Sequence, residues 1–310
     1  TQFVSQATGT NAGPNLNGES TGRHSGKKLV SGDFDGDGKI DYIAMGMMSS
    51  NSITIYRNVN STAGAGISAS TFSSSTMSID ANSYGISNYS YDLNNDGKLD
   101  VLIGRTDGFT VLVNTSSSGS ISFSKTTYTP TGTFASATVK AADMDKDGKL
   151  DVVGIYPDNW GGGVVSVYQN TSSGGTIGFN TTPTNISLSY RTGDVVLGDL
   201  DNDGDNEIVT STNYTFGSGL EKIYYYNNTN STPGTMSISG TASTINGSIP
   251  GGDYDWNITM ALADFDADGD LDITYVNKGT CSPTAVFVGT NNGGGSFTCF
   301  GVGTWSEFIL

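Results

Sequence analysis

Five short aspartate-rich stretches restrict what this chain can become. The first is Asp33-Phe34-Asp35-Gly36-Asp37-Gly38-Lys39-Ile40-Asp41, and the pattern D-x-[DN]-x-D-G-x-x-[DE] returns at 92–100, 143–151, 199–207 and 264–272. Each places side-chain oxygens at positions 1, 3, 5 and 9 of a nine-residue loop, with glycine at the bend. One such loop could be a solvated turn, because Asp, Asn and Gly are ordinary turn residues. Five in the same phase point to a hard cation. Calcium takes six to eight oxygen ligands in flexible geometry, whereas magnesium demands a tight octahedron and gives up water reluctantly. About five calcium ions are therefore expected.

The expected ligands are Asp33, Asp35, Asp37 and Asp41; Asp92, Asn94, Asp96 and Asp100; Asp143, Asp145, Asp147 and Asp151; Asp199, Asp201, Asp203 and Glu207; Asp264, Asp266, Asp268 and Asp272. The backbone carbonyls of Lys39, Lys98, Lys149, Asp205 and Asp270, at position 7, would complete the sets. An EF-hand needs a bidentate Glu at position 12 and flanking helices. Position 12 is Ala44, Ile103, Gly154, Thr210 and Tyr275, which excludes it.

The formal charge of −16 argues against nucleic acid and anionic membrane surfaces as partners. Most of that acidity belongs to the loops. Every repeat carries four ligand carboxylates except the second, where Asn94 stands in, making 19 of the 30 Asp and Glu. Without metal, each cluster would repel itself and loosen the fold. No apolar run approaches the roughly 20 residues that cross a bilayer. The chain starts at Thr1 without a leader, as a processed product would. Cys281 and Cys299 are expected to form one disulfide, and with a single histidine, His24, they do not make a zinc set.

Motif starts at 33, 92, 143, 199 and 264 give a period of about 58 residues. In the third repeat, 137–142, 150–156, 164–168 and 176–180 read as four strands, with 170–175 as a hairpin turn. The corresponding later pairs are 111–114 with 121–123, and 223–227 with 236–238. Tandem four-stranded antiparallel units predict an all-β, five-bladed β-propeller occupying residues 1–310 as one domain. The metal loops fall between strands 1 and 2 of each blade. The ends, 1–10 and 303–310, are expected to close the ring, with 1–5 as a possible fourth strand beside the last blade. A six-bladed ring with one degenerate blade is the alternative.

The loops followed by Leu-Asp-Val or Ile-Asp-Tyr, and the turns Asn114-Thr115-Ser116 to Phe123 and Asn170-Thr171-Ser172 to Phe179, resemble FG-GAP/VCBS repeats of the bacterial extracellular type. Such repeats occur in integrin alpha-subunit heads, some lectins and many secreted bacterial proteins. The resemblance, over about residues 25 to 300, implies a calcium-binding propeller that is secreted or displayed on a cell surface.

Antiparallel strands alternate direction, so the 2–3 and 4–1 loops share the face opposite the metal loops. That face is the expected recognition surface, since loops on a rigid scaffold carry function. Its candidates are Arg105, Asp107, Tyr156, Asp158, Trp160, Tyr190, Arg191, Tyr214, Asp253, Tyr254, Asp255 and Trp256. Aromatic faces beside Asp, Asn and Arg suit a sugar ring, and Trp160 and Trp256 equally suit packing between blades. A binding module for carbohydrate or a surface protein is the first reading, and a spacer in a larger surface protein or filament is the second. A polysaccharide lyase or glycosidase using the Asp253 and Asp255 carboxylates is the third. The loop lysines are expected to point to solvent, and Asn60, Asn114, Asn170, Asn227 and Asn246 head glycosylation sequons.

Overall fold

A computed structural model describes residues 29–45, 52–62, 64, 66–79, 87–105, 107–129, 138–157, 162–190, 192–212, 220–250, 258–277 and 285–304. They form five four-stranded antiparallel sheets, each from one contiguous stretch of chain and each ordered 1-2-3-4. Blade one is β1 (Leu29–Gly32), β2 (Asp41–Met45), β3 (Ser52–Asn58) and β4 (Phe72–Ser78). Blade two is β5 (Asn88–Tyr91), β6 (Asp100–Arg105), β7 (Gly108–Asn114) and β8 (Phe123–Tyr128). Blade three is β9 (Thr138–Ala142), β10 (Asp151–Pro157), β11 (Gly163–Tyr168) and β12 (Thr184–Leu188). Blade four is β13 (Thr192–Gly198), β14 (Glu207–Thr212), β15 (Leu220–Tyr226) and β16 (Ser243–Pro250). Blade five is β17 (Ile258–Ala263), β18 (Asp272–Asn277), β19 (Ala285–Asn291) and β20 (Phe297–Thr304). No α-helix occurs among the described residues.

The core is divided. Four apolar clusters lie between successive blades, one per junction. Side chains alternate across a strand, so one strand feeds two cores: Val152 packs toward blade two and Val153 toward blade four. Strands sandwiched this way carry apolar runs rather than alternation, and every residue of β6 and β7 is buried. The junctions are tight. A Cβ added to Gly32 or Gly198 would come within 2.6 or 2.8 Å of the Leu99 or Leu271 methyl of the next blade.

Two expectations change. The fourth strand lies further along than the apolar patterning placed it: in blade three it is 184–188, while 176–180 is the returning arm of a hairpin, held by isolated bridges Ser173–Thr176 and Asn170–Phe179. The apolar residues of that arm, Ile177 and Phe179, belong to the junction core with blade two. The ring, moreover, is not closed among the described residues. Inner strands β1, β5, β9, β13 and β17 pack in succession, but no strand of blade one makes an extensive contact with blade five. Gly303 and Thr304, placed with the ring-closing end, pair with Val286 and Ala285 inside blade five. Residues 1–10 and 305–310 lie outside the described residues.

Candidate metal centres and recognition face

All five acidic loops connect strand 1 to strand 2 of their blade, so the scaffold carries them in equivalent places. Their shape comes from two residues with positive φ. Position 6 is always glycine, with φ from 81° to 98°, and position 4 is Gly36, Asn95, Lys146, Asn202 or Ala267, with φ from 57° to 70°. The bend turns backbone amides inward onto the carboxylates. In the first loop Gly38 N donates to Asp33 Oδ2 at 2.8 Å and Lys39 N to Asp37 Oδ1 at 3.1 Å, and the position-6 bond recurs in all five.

Position 9 does something the spacing did not show. Asp41, Asp100, Asp151, Glu207 and Asp272 are fully buried. One oxygen of each accepts the position-2 amide at 2.7–3.1 Å. The other accepts the amide of an asparagine ending strand 3: Asn58, Asn114, Asn170, Asn228 or Asn291. Each carboxylate thus staples its loop to its own sheet. All of these asparagines but Asn58 then join neighbouring blades. Asn170 Nδ2 donates to Leu93 O of blade two and to Leu150 O of its own loop, both at 2.8 Å. Asn114 and Asn170, read as sequons, are buried joints that no glycan can reach.

Burial pushes the Asp100 carboxyl up to about 6 and those of Asp151 and Glu207 up to about 7, the two amide hydrogen bonds opposing. Asp41, Asp145 and Asp201 also rise, chiefly from desolvation. Asp37 moves down, because Lys39 donates to it. Lys39 and Lys149 do not point away to solvent; each folds back onto its position-5 carboxylate, at 2.8 and 2.6 Å. Arg57 Nη2 adds a second ion pair to Asp37 at 2.7 Å, and its Nε pairs with Asp35. Lys98 Nζ instead caps Ser116 O.

Carboxylate oxygens converge within 4.8 Å of one another in four loops: Asp33, Asp35 and Asp37; Asp143, Asp145 and Asp151; Asp199, Asp201 and Asp203; Asp264, Asp266 and Asp272. Asn94 leaves the second loop one carboxylate short. The loop at 199–207 bears most directly on metal. Asp199 Oδ1 and Asp201 Oδ1 are buried and have no hydrogen-bond partner. Buried polar atoms are nearly always paired, and two anionic oxygens left bare side by side fit a cation bound between them.

The expected recognition face is only partly described. Arg105 and Asp107 form an ion pair at the turn between β6 and β7, with Arg105 itself buried. Tyr156 and Tyr190 are not on a face. Both lie in junction cores, where Tyr190 Oη bonds Thr210 and Tyr226, because inward-facing strand positions near the loop are needed for packing. Asp158, Trp160, Arg191, Tyr214, Asp253, Tyr254, Asp255 and Trp256 lie outside the described residues, as does Cys281. Cys299 is a free thiol beside Tyr275, and desolvation raises its pKa. A cavity of about 300 Å³ opens between inner strands, lined by Tyr91, Lys140, Leu197, Met260 and neighbours.

Residues 92–154 and 143–210 each match the family model described as FG-GAP-like repeat. No curated protein matches the sequence. Among solved structures, AofleA from Arthrobotrys oligospora is 9% identical with a TM-score of 0.48, over 89% of this chain and 71% of that one. A triple arginine-to-alanine mutant of AofleA is 8% identical with a TM-score of 0.34, over 90% and 87%.

Proposed function

Residues 92–210 are FG-GAP-like repeats, and from that premise we propose that the chain is an extracellular, calcium-stabilised binding module. Repeats of this family are typically binding or structural modules rather than catalytic ones. The observation that carries the calcium reading is the pair of bare buried oxygens on Asp199 and Asp201. With Asp203 they form an all-oxygen set of the hard kind calcium takes, which the loop carbonyl of Asp205 would extend. The bound ion supplies positive charge where the fold has gathered anions. The chain's own residues do the rest. Position 6 bends the loop, and position 9 fixes it to strand 3. The strand-3 asparagine of blades two to five passes that rigidity to the preceding blade.

On this reading the metal face is structural, and the opposite loops recognise a carbohydrate or a surface protein. At the β6–β7 turn on that face the buried Arg105 holds the part-exposed Asp107 carboxylate in place. Extracellular calcium modules bind with dissociation constants of about 10⁻⁴–10⁻³ M, which suits the first and third loops, where Lys39 and Lys149 sit on the position-5 carboxylates. Titration calorimetry with calcium, and with magnesium as control, tests the metal. Calcium binding that Asp201→Asn weakens at least tenfold at one site supports it; no heat at millimolar calcium, or equal response to magnesium, overturns it. A glycan array probed with calcium and with chelator tests recognition. Binding to no glycan would leave a protein ligand, and binding unaffected by chelator would break the link between the two faces.

A further inference from the structure

Five large apolar side chains are exposed among the described residues, and every one is on an end blade. Leu29 (53%), Ile40 (49%), Val59 (39%) and Ile67 (68%) belong to blade one, and Phe265 (54%) to blade five. Val59 apart, whose equivalents Thr115, Thr171 and Thr229 are exposed as well, the corresponding apolar positions at the internal junctions are covered. Phe265 is at position 2 of its loop, where Phe34, Leu93, Met144 and Leu200 are at most 1% exposed beneath the following blade. Ile40 is at position 8, where Leu99, Leu150 and Leu271 pack onto the preceding blade. Ile67 is on the hairpin after strand 3, where Ile121 and Ile177 do the same.

The polar half of the junction is split in the same way. The amide nitrogens of Asn114, Asn170, Asn228 and Asn291 each donate to the position-2 carbonyl of the blade before, at 2.8–2.9 Å. Asn58 carries the same amide on blade one and bonds only its own loop, through Ile40 O at 3.3 Å. Blade five therefore ends in the accepting half of a junction, the Phe265 carbonyl, and blade one begins with the donating half, the Asn58 amide. Tyr42 and Tyr56 lie on the blade-one strands' uncovered side, opposite Ile43 and Ile55, and tyrosine is enriched at protein–protein interfaces.

We propose that blade five of one molecule docks, head to tail, onto blade one of a second copy, making a fifth junction of the kind the chain already builds four times. Phe265 would enter beneath the Ile67 hairpin, and Asn58 would take the Phe265 carbonyl. Among the described residues no strand of blade one makes an extensive contact with blade five, and bringing the two together within one chain would require the close-packed internal junctions to change angle together. A second copy needs no such change. Contacts of this heterologous type close into a ring or propagate as a filament.

The test is light scattering of the full chain in calcium, from micromolar to several hundred micromolar, with Phe265→Asp and Ile67→Asp. Wild-type mass should rise with concentration, and each variant should stay at the monomer mass of 32.2 kDa with an unchanged circular dichroism spectrum. Should aspartate disturb either blade, Phe265→Ser and Ile67→Ser replace them. The decisive sample is the equimolar mixture. The Phe265 variant keeps an intact blade-one face and the Ile67 variant an intact blade-five face, so together they should form a dimer and nothing longer. A monomeric wild type at the highest concentration, association that survives both variants, or a mixture that stays monomeric would each overturn the proposal. A monomeric wild type destabilised by Phe265→Asp would show that the ring closes on itself instead.

Discussion

Blades one and two come from the same repeat, yet they are buried differently. In blade two, β6 and β7 (DVLIGR and GFTVLVN) are buried at every position. In blade one, β2 and β3 (DYIAM and SITIYRN) alternate, with Ile43, Met45, Ile53 and Ile55 inside and the intervening side chains half-exposed. The difference shows that the unit of stability here is the junction and not the blade. A sheet with neighbours on both sides is written as a continuous apolar run, and one with a single neighbour alternates. Repeat arrays behave this way because each unit can bury its faces only against adjacent units.

The largest expected effect compares position 2 in the two settings. Leu93→Ala removes a side chain 1% exposed between blades two and three, and such truncations cost about 2–5 kcal/mol. Phe265→Ala removes a larger side chain that is 54% exposed. In dilute monomer it should cost less than about 0.5 kcal/mol, as exposed substitutions generally do. Urea unfolding of both variants measures the gap. Equal losses would mean that Phe265 is covered in solution even at low concentration.

The asparagine joint gives the next contrast. Asn170→Ala strips the donor from a buried carbonyl, Leu93 O, and a part-buried one, Leu150 O, and an unpaired buried group costs about 1–3 kcal/mol. Asn58→Ala removes an amide bonded to one exposed carbonyl and should cost well under half as much by the same measurement.

The buried position-9 carboxyls of blades two, three and four set a pH response. In the metal-free chain the folded pKa values of Asp100, Asp151 and Glu207 are raised to about 6, 7 and 7, with Asp92, Asp96, Asp145, Asp147, Asp201 and Asp203 as the nearby like charges. Their unfolded values lie near 4. Between these limits the native state holds more protons than the unfolded one, so stability falls as pH rises from about 4 to about 7. Asp37, whose pKa is lowered, acts oppositely but only below its ordinary range. Melting temperatures in chelator should therefore decline across that window. Calcium should flatten the decline, since a bound cation stabilises the ionised carboxylates. A metal-free chain that melts higher at pH 7 than at pH 5 would contradict the burial of these groups.

Much of this was legible. Five loops in one phase located the blades and the strand 1–2 connections, because a fixed nine-residue spacing needs no tertiary information. The fourth strands were not, because Ile177 and Phe179 look like strand residues but serve the junction with blade two. Tyr156 and Tyr190 were misleading for a related reason: an aromatic beside a loop can face the ligand or the neighbouring blade, and only packing decides. Asn114 and Asn170 read as surface sequons, yet Asn114 ends the buried strand β7 and Asn170 follows the largely apolar β11 by two residues. That position was the signal for a buried polar joint.

The smallest effect concerns position 4 of the loops, whose left-handed backbone sequence patterning did not reveal. Ala267 holds φ at 63° and Lys146 at 60°, a region where a Cβ is strained and glycine is not. Ala267, on the end blade, is exposed and makes no polar side-chain bond, so Ala267→Gly should relieve that strain and raise stability by about 0.5 kcal/mol. Lys146, on a central blade, pairs with Asp205 of blade four at 3.1 Å and donates to Asp203 O at 3.2 Å. Lys146→Gly gains the same relief and loses both links, each of the modest worth of a partly exposed pair. The two terms nearly cancel, and the net change should be close to zero or slightly unfavourable. The sign difference between the two glycines, read from urea midpoints, isolates the part of a junction that end blades lack: a position-4 side chain that reaches the next repeat. A gain of similar size at both sites would show that this reach contributes nothing, leaving apolar packing and the asparagine joint to hold successive blades together.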